Sequence, residues 1–197
     1  MNSILEEKRK LRAISERLRK KTFNKCGRDA NIVMTQHFKC WFKEKTNIKI
    51  ISFYFPIKTE VDPFPLIEDL RGTNLKLCLP VVEGTGLPLS FKEWTKDSDL
   101  IKSSFGTRIP ARGQFLTPDL IIAPLLAFDK YGSRLGYGGG FYDRTIDSLR
   151  SKKDISVLGL AFECQRTTSM IPVEPTDQKM DWVLTERGLY SFNSTET

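Results

Sequence analysis

Residues Pro118 to Thr145 read PDLIIAPLLAFDKYGSRLGYGGGFYDRT. The apolar run Leu120 to Phe128 has the density of a buried strand, with Pro124 marking a bend near its end. It leads to Gly136-Tyr137-Gly138-Gly139-Gly140 and then to a helix-like segment, Phe141 to Arg150, whose first turn carries Asp143. Glycine lets backbone N–H groups come close to a ligand and point at it together. A helix N-terminus adds a partial positive charge at the same place. The stretch therefore predicts a strand–loop–helix unit with an anion site, most simply for a phosphate. Arg134 and Asp143 on either side of the loop would supply an anion clamp and a Mg²⁺ ligand. On these residues alone a tight turn without a ligand remains the alternative. Two common phosphate fingerprints fail: Phe141 stands where the dinucleotide pattern has its third glycine, and no Gly-Lys-Ser/Thr follows.

Working outward, further strands are expected at Ile48–Phe55, Leu75–Val82, Ile155–Phe162 and Trp182–Thr185, and a helix at Phe64–Arg71. Residues 83–115 have weak periodicity and several Gly/Pro breakers, and are read as irregular with a short hairpin. Apolar strands alternating with helices imply an α/β fold, with a mostly parallel sheet covered on both faces. Ligands of such sheets sit beyond the carboxyl ends of the strands, so the loops after Phe55, Phe128 and Phe162 are expected to gather there.

At the N-terminus, residues 3–25 are helical in pattern, with Ile4, Leu11, Ile14 and Leu18 as the docking stripe. Lys8 and Arg12, four apart, share a face beside it. That face is either solvated or aimed into a phosphate-holding cleft. Asp29 is expected to cap a second helix running to Lys45, with Val33, His37, Cys40 and Trp41 on its inner face.

The chain has 197 residues, 40% hydrophobic and 28% charged, which fits one folded domain over residues 1–192 and a mobile polar tail over 193–197. No apolar run is long enough for a membrane span, and the charged N-terminus excludes a secretory signal. Cys26, Cys40, Cys78 and Cys164 form no metal-binding spacing, and Cys40 and Cys78 read as small core residues. A reducing cytoplasm suits them. His37 is the only histidine, so no Ser-His-Asp or Cys-His site can be assembled without it, and no multi-histidine zinc site is possible. Net charge is +7, yet residues 1–25 hold nine Lys/Arg against three Asp/Glu, so the body is near neutral. A nucleic-acid-binding protein is the reading that this basic arm favours. The neutral body and the lack of an aromatic-basic motif speak against it. A sugar-phosphate or coenzyme A enzyme is the second alternative.

Four separated features stand out: Lys8–Arg12, the Glu60 loop, the Arg134–Asp143 glycine loop, and the segment Pro172–Thr185 with Asp177 and Asp181. The runs Lys8-Arg9-Lys10-Leu11-Arg12, Thr59-Glu60-Val61-Asp62, Pro124 to Asp129, Arg134 to Arg144 and Asp177 to Glu186 resemble, in order and spacing, the 5-formyltetrahydrofolate cyclo-ligase family. The resemblance covers nearly the whole chain. It implies a three-layer α/β/α domain and ATP-dependent closure of 5-formyltetrahydrofolate to 5,10-methenyltetrahydrofolate, with ADP and phosphate released. It implies that Lys8, Arg9, Lys10, Leu11 and Arg12, with Arg134, Leu135, Gly136, Tyr137, Gly138, Gly139, Gly140, Phe141 and Tyr142, bind ATP. Phe55, Glu60 and Tyr137 to Phe141 would contact folate, Asp143 and Asp181 would hold Mg²⁺, and Arg134 and Tyr142 would carry the reaction. The partners implied are ATP and a reduced folate, polyglutamylated or not, in a cytoplasmic monomer with no nucleic acid or membrane. This chain departs from the family pattern in four places. Tyr137 and Gly139 stand where animal members have arginine and lysine, Phe141 replaces a tyrosine, and Thr176 a histidine.

Overall fold

A computed structural model describes residues 2–103 and 106–192; the tail expected at 193–197 lies outside them. The elements run α1 (Asn2–Phe42), β1 (Ile50–Ser52), α2 (Phe64–Leu70), β2 (Lys76–Val82), β3 (Leu89–Glu93), β4 (Leu100–Lys102) and β5 (Arg108–Pro110). Then come β6 (Leu120–Pro124), β7 (Ala127–Phe128), β8 (Arg134–Leu135), α3 (Phe141–Arg150) and β9 (Ser156–Leu160). The chain closes with a 3₁₀ turn (Glu163–Gln165), β10 (Trp182–Thr185) and β11 (Gly188–Ser191). The main sheet has the order β11-β10-β9-β6-β1-β2-β3. Its five central strands are parallel, and β3 and β11 close the two edges antiparallel. The expected α/β fold with a mostly parallel sheet is the fold observed.

Successive strand residues face opposite sides. Leu120 and Ile122 on β6, with Leu158 and Leu160 on β9, join Met34, Phe38, Leu66 and Ile67 of α1 and α2 in one core. Ile121, Ala123 and Val157 join Ile146 of α3 in the other. Helices thus cover both faces, giving three layers. Among the described residues no helix is long and apolar enough to cross a membrane.

Three expectations need correction. The strand read as Leu120 to Phe128 divides at Pro124, because proline has no N–H to continue the ladder. Its second half leaves the main sheet as β7 and pairs with β8, which delivers Arg134 and Leu135 to the glycine loop. Residues 83–115 contain the expected short hairpin, β4–β5, but also an edge strand, β3, where an irregular segment is expected. The helix break falls at Cys26 (φ −150°, ψ 21°), not at Asp29, which is exposed. The inner face beyond it is Ala30, Met34 and Phe38, one position off the predicted stripe, and Cys40 is exposed.

The largest difference lies in the first half of α1. Ile14 and Leu18 are 48% and 40% exposed, whereas Lys8, Ser15 and Arg19 are buried. This half of the helix crosses the carboxyl edge of the sheet, where loops rather than apolar strand faces wait for it. Lys8, Arg12, Ser15 and Arg19 repeat at i, i+4, i+7 and i+11, a helical stripe made of polar residues. Polar loops supply its partners, so the polar stripe turns inward.

Candidate active site

The glycine loop links β8 to α3. Gly138 has φ 97° and Gly140 φ 64°, conformations that L side chains rarely adopt. These turns present the loop's amides outward: no main-chain N–H from Gly136 to Gly140 donates a hydrogen bond among the described residues. The N-terminus of α3 has no side-chain cap either. Arg12 reaches in from α1 and donates from Nε to the Gly136 carbonyl at 2.9 Å. Its guanidinium lies 3.3 Å from where a β-carbon on Gly138 would stand. Arg144 braces the loop from behind, donating to the Gly139 carbonyl at 2.7 Å and lying 5.4 Å over the Phe141 ring. The result is an open row of donors with a cation beside it, the arrangement that binds polyphosphate.

The other residues of the N-terminal run divide sharply. Lys8 is buried and bound to Glu174 (2.8 Å) and Asp177 (2.5 Å). Burial works against its charge, but these two carboxylates outweigh burial and raise its pKa. Leu11 packs on Ala127, Leu135 and Ile171. Arg9 and Lys10 face solvent, Lys10 pairing with Glu6 on its own helix at 3.1 Å. The structure therefore brings Lys8, Leu11 and Arg12 to the cleft and leaves Arg9 and Lys10 outside it.

Arg134 is buried on β8 and forks between the Gln178 carbonyl and Asp143 Oδ1, both at 2.8 Å. Asp143 Oδ1 also accepts the Gln178 N–H at 3.1 Å. Its Oδ2 has no hydrogen-bond partner among the described residues. Asp181, expected beside it, is elsewhere. Asp181 accepts from Arg150 (3.0 Å) and from the Val157 N–H (2.7 Å) at the amino end of β9. Arg150 is seven residues beyond Asp143 on α3, about 10 Å along the helix axis. The two aspartates thus sit at opposite ends of α3, because the helix runs back from the carboxyl edge of the sheet to the amino edge. Asp181→Asn is expected to cost about 1 kcal/mol of stability and leave the Mg²⁺ requirement of turnover unchanged. Thermal unfolding and a Mg²⁺ titration check this, and a raised Mg²⁺ requirement would return Asp181 to the site.

Glu60 and Tyr142 are electrostatically coupled. Glu60 is buried, and its Oε2 accepts the Ile57 N–H at 2.9 Å. Burial raises its carboxyl pKa to about 7, against the pull of that N–H, Arg19 and Lys58. Burial, then Glu60, pushes the Tyr142 phenol up as well, so this hydroxyl stays protonated and is available as a donor. Its oxygen has no hydrogen-bond partner among the described residues. Phe55 meets Phe64 edge-on at 5.5 Å and lies under Arg108 at 5.9 Å. Tyr137 is exposed, with Lys58 5.0 Å from its ring.

A carboxyl raised in the folded state binds its proton more tightly there than in the unfolded chain. Between pH 4.5 and about 7 the folded protein holds the extra proton, so this group's stabilising contribution is full below pH 4.5 and is lost as pH rises through 7. Glu60→Gln should remove that slope, gaining up to about 3 kcal/mol over the native chain at pH 8. Thermal unfolding across pH 4 to 9 is the measurement; parallel curves for the two proteins would contradict it.

Sequence reasoning missed Arg19, Arg108 and Gln165, and gave no role to Lys58 of the Glu60 loop. Arg19 binds Thr59, Leu125 and Tyr137, and Gln165 donates to the Leu125 carbonyl at 2.7 Å. Lys58 has φ 53° in the Glu60 loop. The polar stripe was the available signal for Arg19; nothing local marks the other three.

An uncapped helix, a row of free amides and clustered cations at the carboxyl edge of a parallel sheet are the features with which α/β proteins hold phosphate groups. The comparisons narrow this. The model of the 5-formyltetrahydrofolate cyclo-ligase family matches residues 4–186, and the chain belongs to that family of folate-handling ligases. The 5-formyltetrahydrofolate cyclo-ligase of Haemophilus influenzae is 37% identical over 140 residues, covering 68% of this chain and 74% of that protein. The mouse protein of the same name is 29% identical over 196 residues, covering 92% and 90%. The NMR structure of Aquifex aeolicus 5,10-methenyltetrahydrofolate synthetase matches with a TM-score of 0.80 at 27% identity, covering 96% of this chain and 95% of that one.

Proposed function

We propose that this chain closes 5-formyltetrahydrofolate to 5,10-methenyltetrahydrofolate at the expense of ATP, and that the cleft described above is where it does so. One observation carries the assignment of the site: the undonated amides of Gly136–Gly140 beside Arg12. The ATP phosphates lie on those amides and on the N-terminus of α3, with Arg12 and Lys8 along the same edge. The reduced pterin lies between Phe55, Glu60, Tyr137 and Phe141.

The formamide oxygen of the substrate is a poor leaving group. Transfer of the γ-phosphoryl group to it releases ADP and makes the formyl carbon electrophilic. N10 attacks that carbon and forms the new C–N bond, the N10 proton leaves, and the C–O bond breaks with loss of phosphate. The chain's own groups position and neutralise rather than attack. Arg134 balances charge at the phosphoryl group, Tyr142 donates its proton-bearing hydroxyl, and ionised Glu60 receives the N10 proton. A carboxyl poised near neutrality suits that last task.

Asp143 fits a nucleotide-borne Mg²⁺: its Oδ2 is uncommitted, and Mg²⁺ takes one or two carboxylate oxygens together with phosphate oxygens and water. Among the described residues no three His, Cys, Asp or Glu side chains gather for a metal, so the ion would arrive with ATP. Bound there, it would neutralise phosphate charge. We place the protein in the cytoplasm as a monomer, with residues 1–192 folding together.

Mixing the protein with 5-formyltetrahydrofolate, ATP and Mg²⁺ should produce the methenylfolate absorbance band with one ADP per turnover. ADP release that is independent of folate, or no band, would overturn the reading.

A further inference from the structure

Arg19 is fully buried, yet it forms no ion pair among the described residues. Its Nε donates to Thr59 Oγ1 at 3.3 Å and its Nη1 to the Leu125 carbonyl at 3.2 Å, while Nη2 meets the Tyr137 hydroxyl. All three acceptors are neutral. A buried cation without a counter-ion costs several kcal/mol, and where only packing matters an apolar side chain serves as well or better. The three acceptors come from the loop after β1, the turn after β6 and the loop after β8, the segments that border the cleft. The guanidinium also lies 5.5 Å from the centre of the Tyr137 ring. We propose that Arg19 is a positioning residue for the cyclisation: it locks Tyr137 and the two neighbouring loops into one wall and, through its bond to Thr59, sets a permanent positive charge beside the Glu60 loop. This rests on the cyclo-ligase reading for its consequence in turnover, but not for its electrostatics.

The groups whose charges act on Glu60 are Arg19 from α1, which bonds the preceding residue Thr59 at 3.3 Å, Lys58 from its own loop, Tyr54 after β1, Tyr137 from the glycine loop and Tyr142 from α3. Only two are cationic. Lys58 is exposed and held by Glu16 at 2.6 Å, so water and that carboxylate blunt its field. Arg19 is sheltered from water and therefore acts on Glu60 more strongly. Its planar fork also makes bonds in three directions that a lysine ammonium on a flexible stem does not reproduce.

The test separates the two roles. With no ATP or folate present, the Glu60 carboxyl is titrated by ¹³C NMR in the native chain, Arg19→Gln and Arg19→Lys. The midpoint should rise by about one pH unit in Arg19→Gln and stay near the native value in Arg19→Lys, which keeps the charge. An unmoved midpoint in Arg19→Gln overturns the charge role, whatever the enzyme does. Turnover reads the positioning: in both variants KM for 5-formyltetrahydrofolate should rise about tenfold or more, since both lose the fork. The acid limb of kcat/KM should move upward only in Arg19→Gln. Should Arg19→Gln not fold, Arg19→Lys decides, because a native KM there overturns the positioning role. A native chain that makes no methenylfolate, while the NMR midpoints move as stated, would sink the cyclo-ligase reading and leave the effect of the Arg19 charge on Glu60 intact.

Discussion

Arg134→Ala is expected to lower kcat/KM for 5-formyltetrahydrofolate about 1,000-fold, the largest loss of any single substitution in the cleft. Two effects add. In the proposed mechanism the guanidinium supplies fixed positive charge beside the transferring phosphoryl group, inside a pocket where water screens little. It also ties the first turn of α3, through Asp143, to the Gln178 carbonyl, so its loss frees the segment that shapes the phosphate side of the cleft. Asp143 is partly buried, and stranding its charge should cost about 3 kcal/mol of stability as well. Arg134→Lys should fail nearly as badly, because an ammonium cannot serve Asp143 and Gln178 with one planar fork. Coupled ADP release and methenylfolate absorbance measure the loss, and thermal unfolding apportions the stability part. Native turnover in Arg134→Ala would remove this arginine from the reaction.

Gly138→Val should raise KM for ATP about 100-fold, through the backbone rather than through a lost side chain. At φ 97° a β-branched residue is strained by about 1–3 kcal/mol, and the loop relieves the strain by turning. Turning would move the row of amides off the phosphates that the proposed mechanism places there. The new β-carbon also stands 3.3 Å from the Arg12 guanidinium, displacing the cation beside them. Gly136→Ala is the comparison: a β-carbon there meets nothing within 4 Å, and its loss of ATP affinity should be much smaller. ATP affinity by calorimetry tests the pair. Equal binding by the Gly138→Val chain would show that the phosphates rest elsewhere.

Strand–glycine loop–helix was readable because each of its signals is local. Helix α3 begins at Phe141 and ends at Arg150, as its pattern predicts, and β10 spans Trp182–Thr185 as expected. Glycines in sequence announce a loop, and an amphipathic decade announces a helix. The apolar density of β6 and β9 likewise announces burial on both faces. By contrast, β3 and β11 are short antiparallel edge strands whose half-exposed residues carry no such density. The apolar stripe assigned to the first half of α1 was misleading for a related reason. Periodicity identifies a face but not its destination, and here the destination is a polar cleft.

The amino-acid order by itself thus determined the alternation of strands and helices, the glycine loop with its undonated amides, and the family. Only the folded chain decided which cations enter the cleft: Lys8, Arg12 and Arg19 turn inward, while Arg9 and Lys10 remain in water. It also decided that Asp143 and Asp181 lie apart and that Glu60 titrates near neutrality. Those outcomes depend on distances between segments far apart along the chain, and on how much water is excluded between them. Burial and through-space charge are properties of the assembled site, which no local pattern of residues contains.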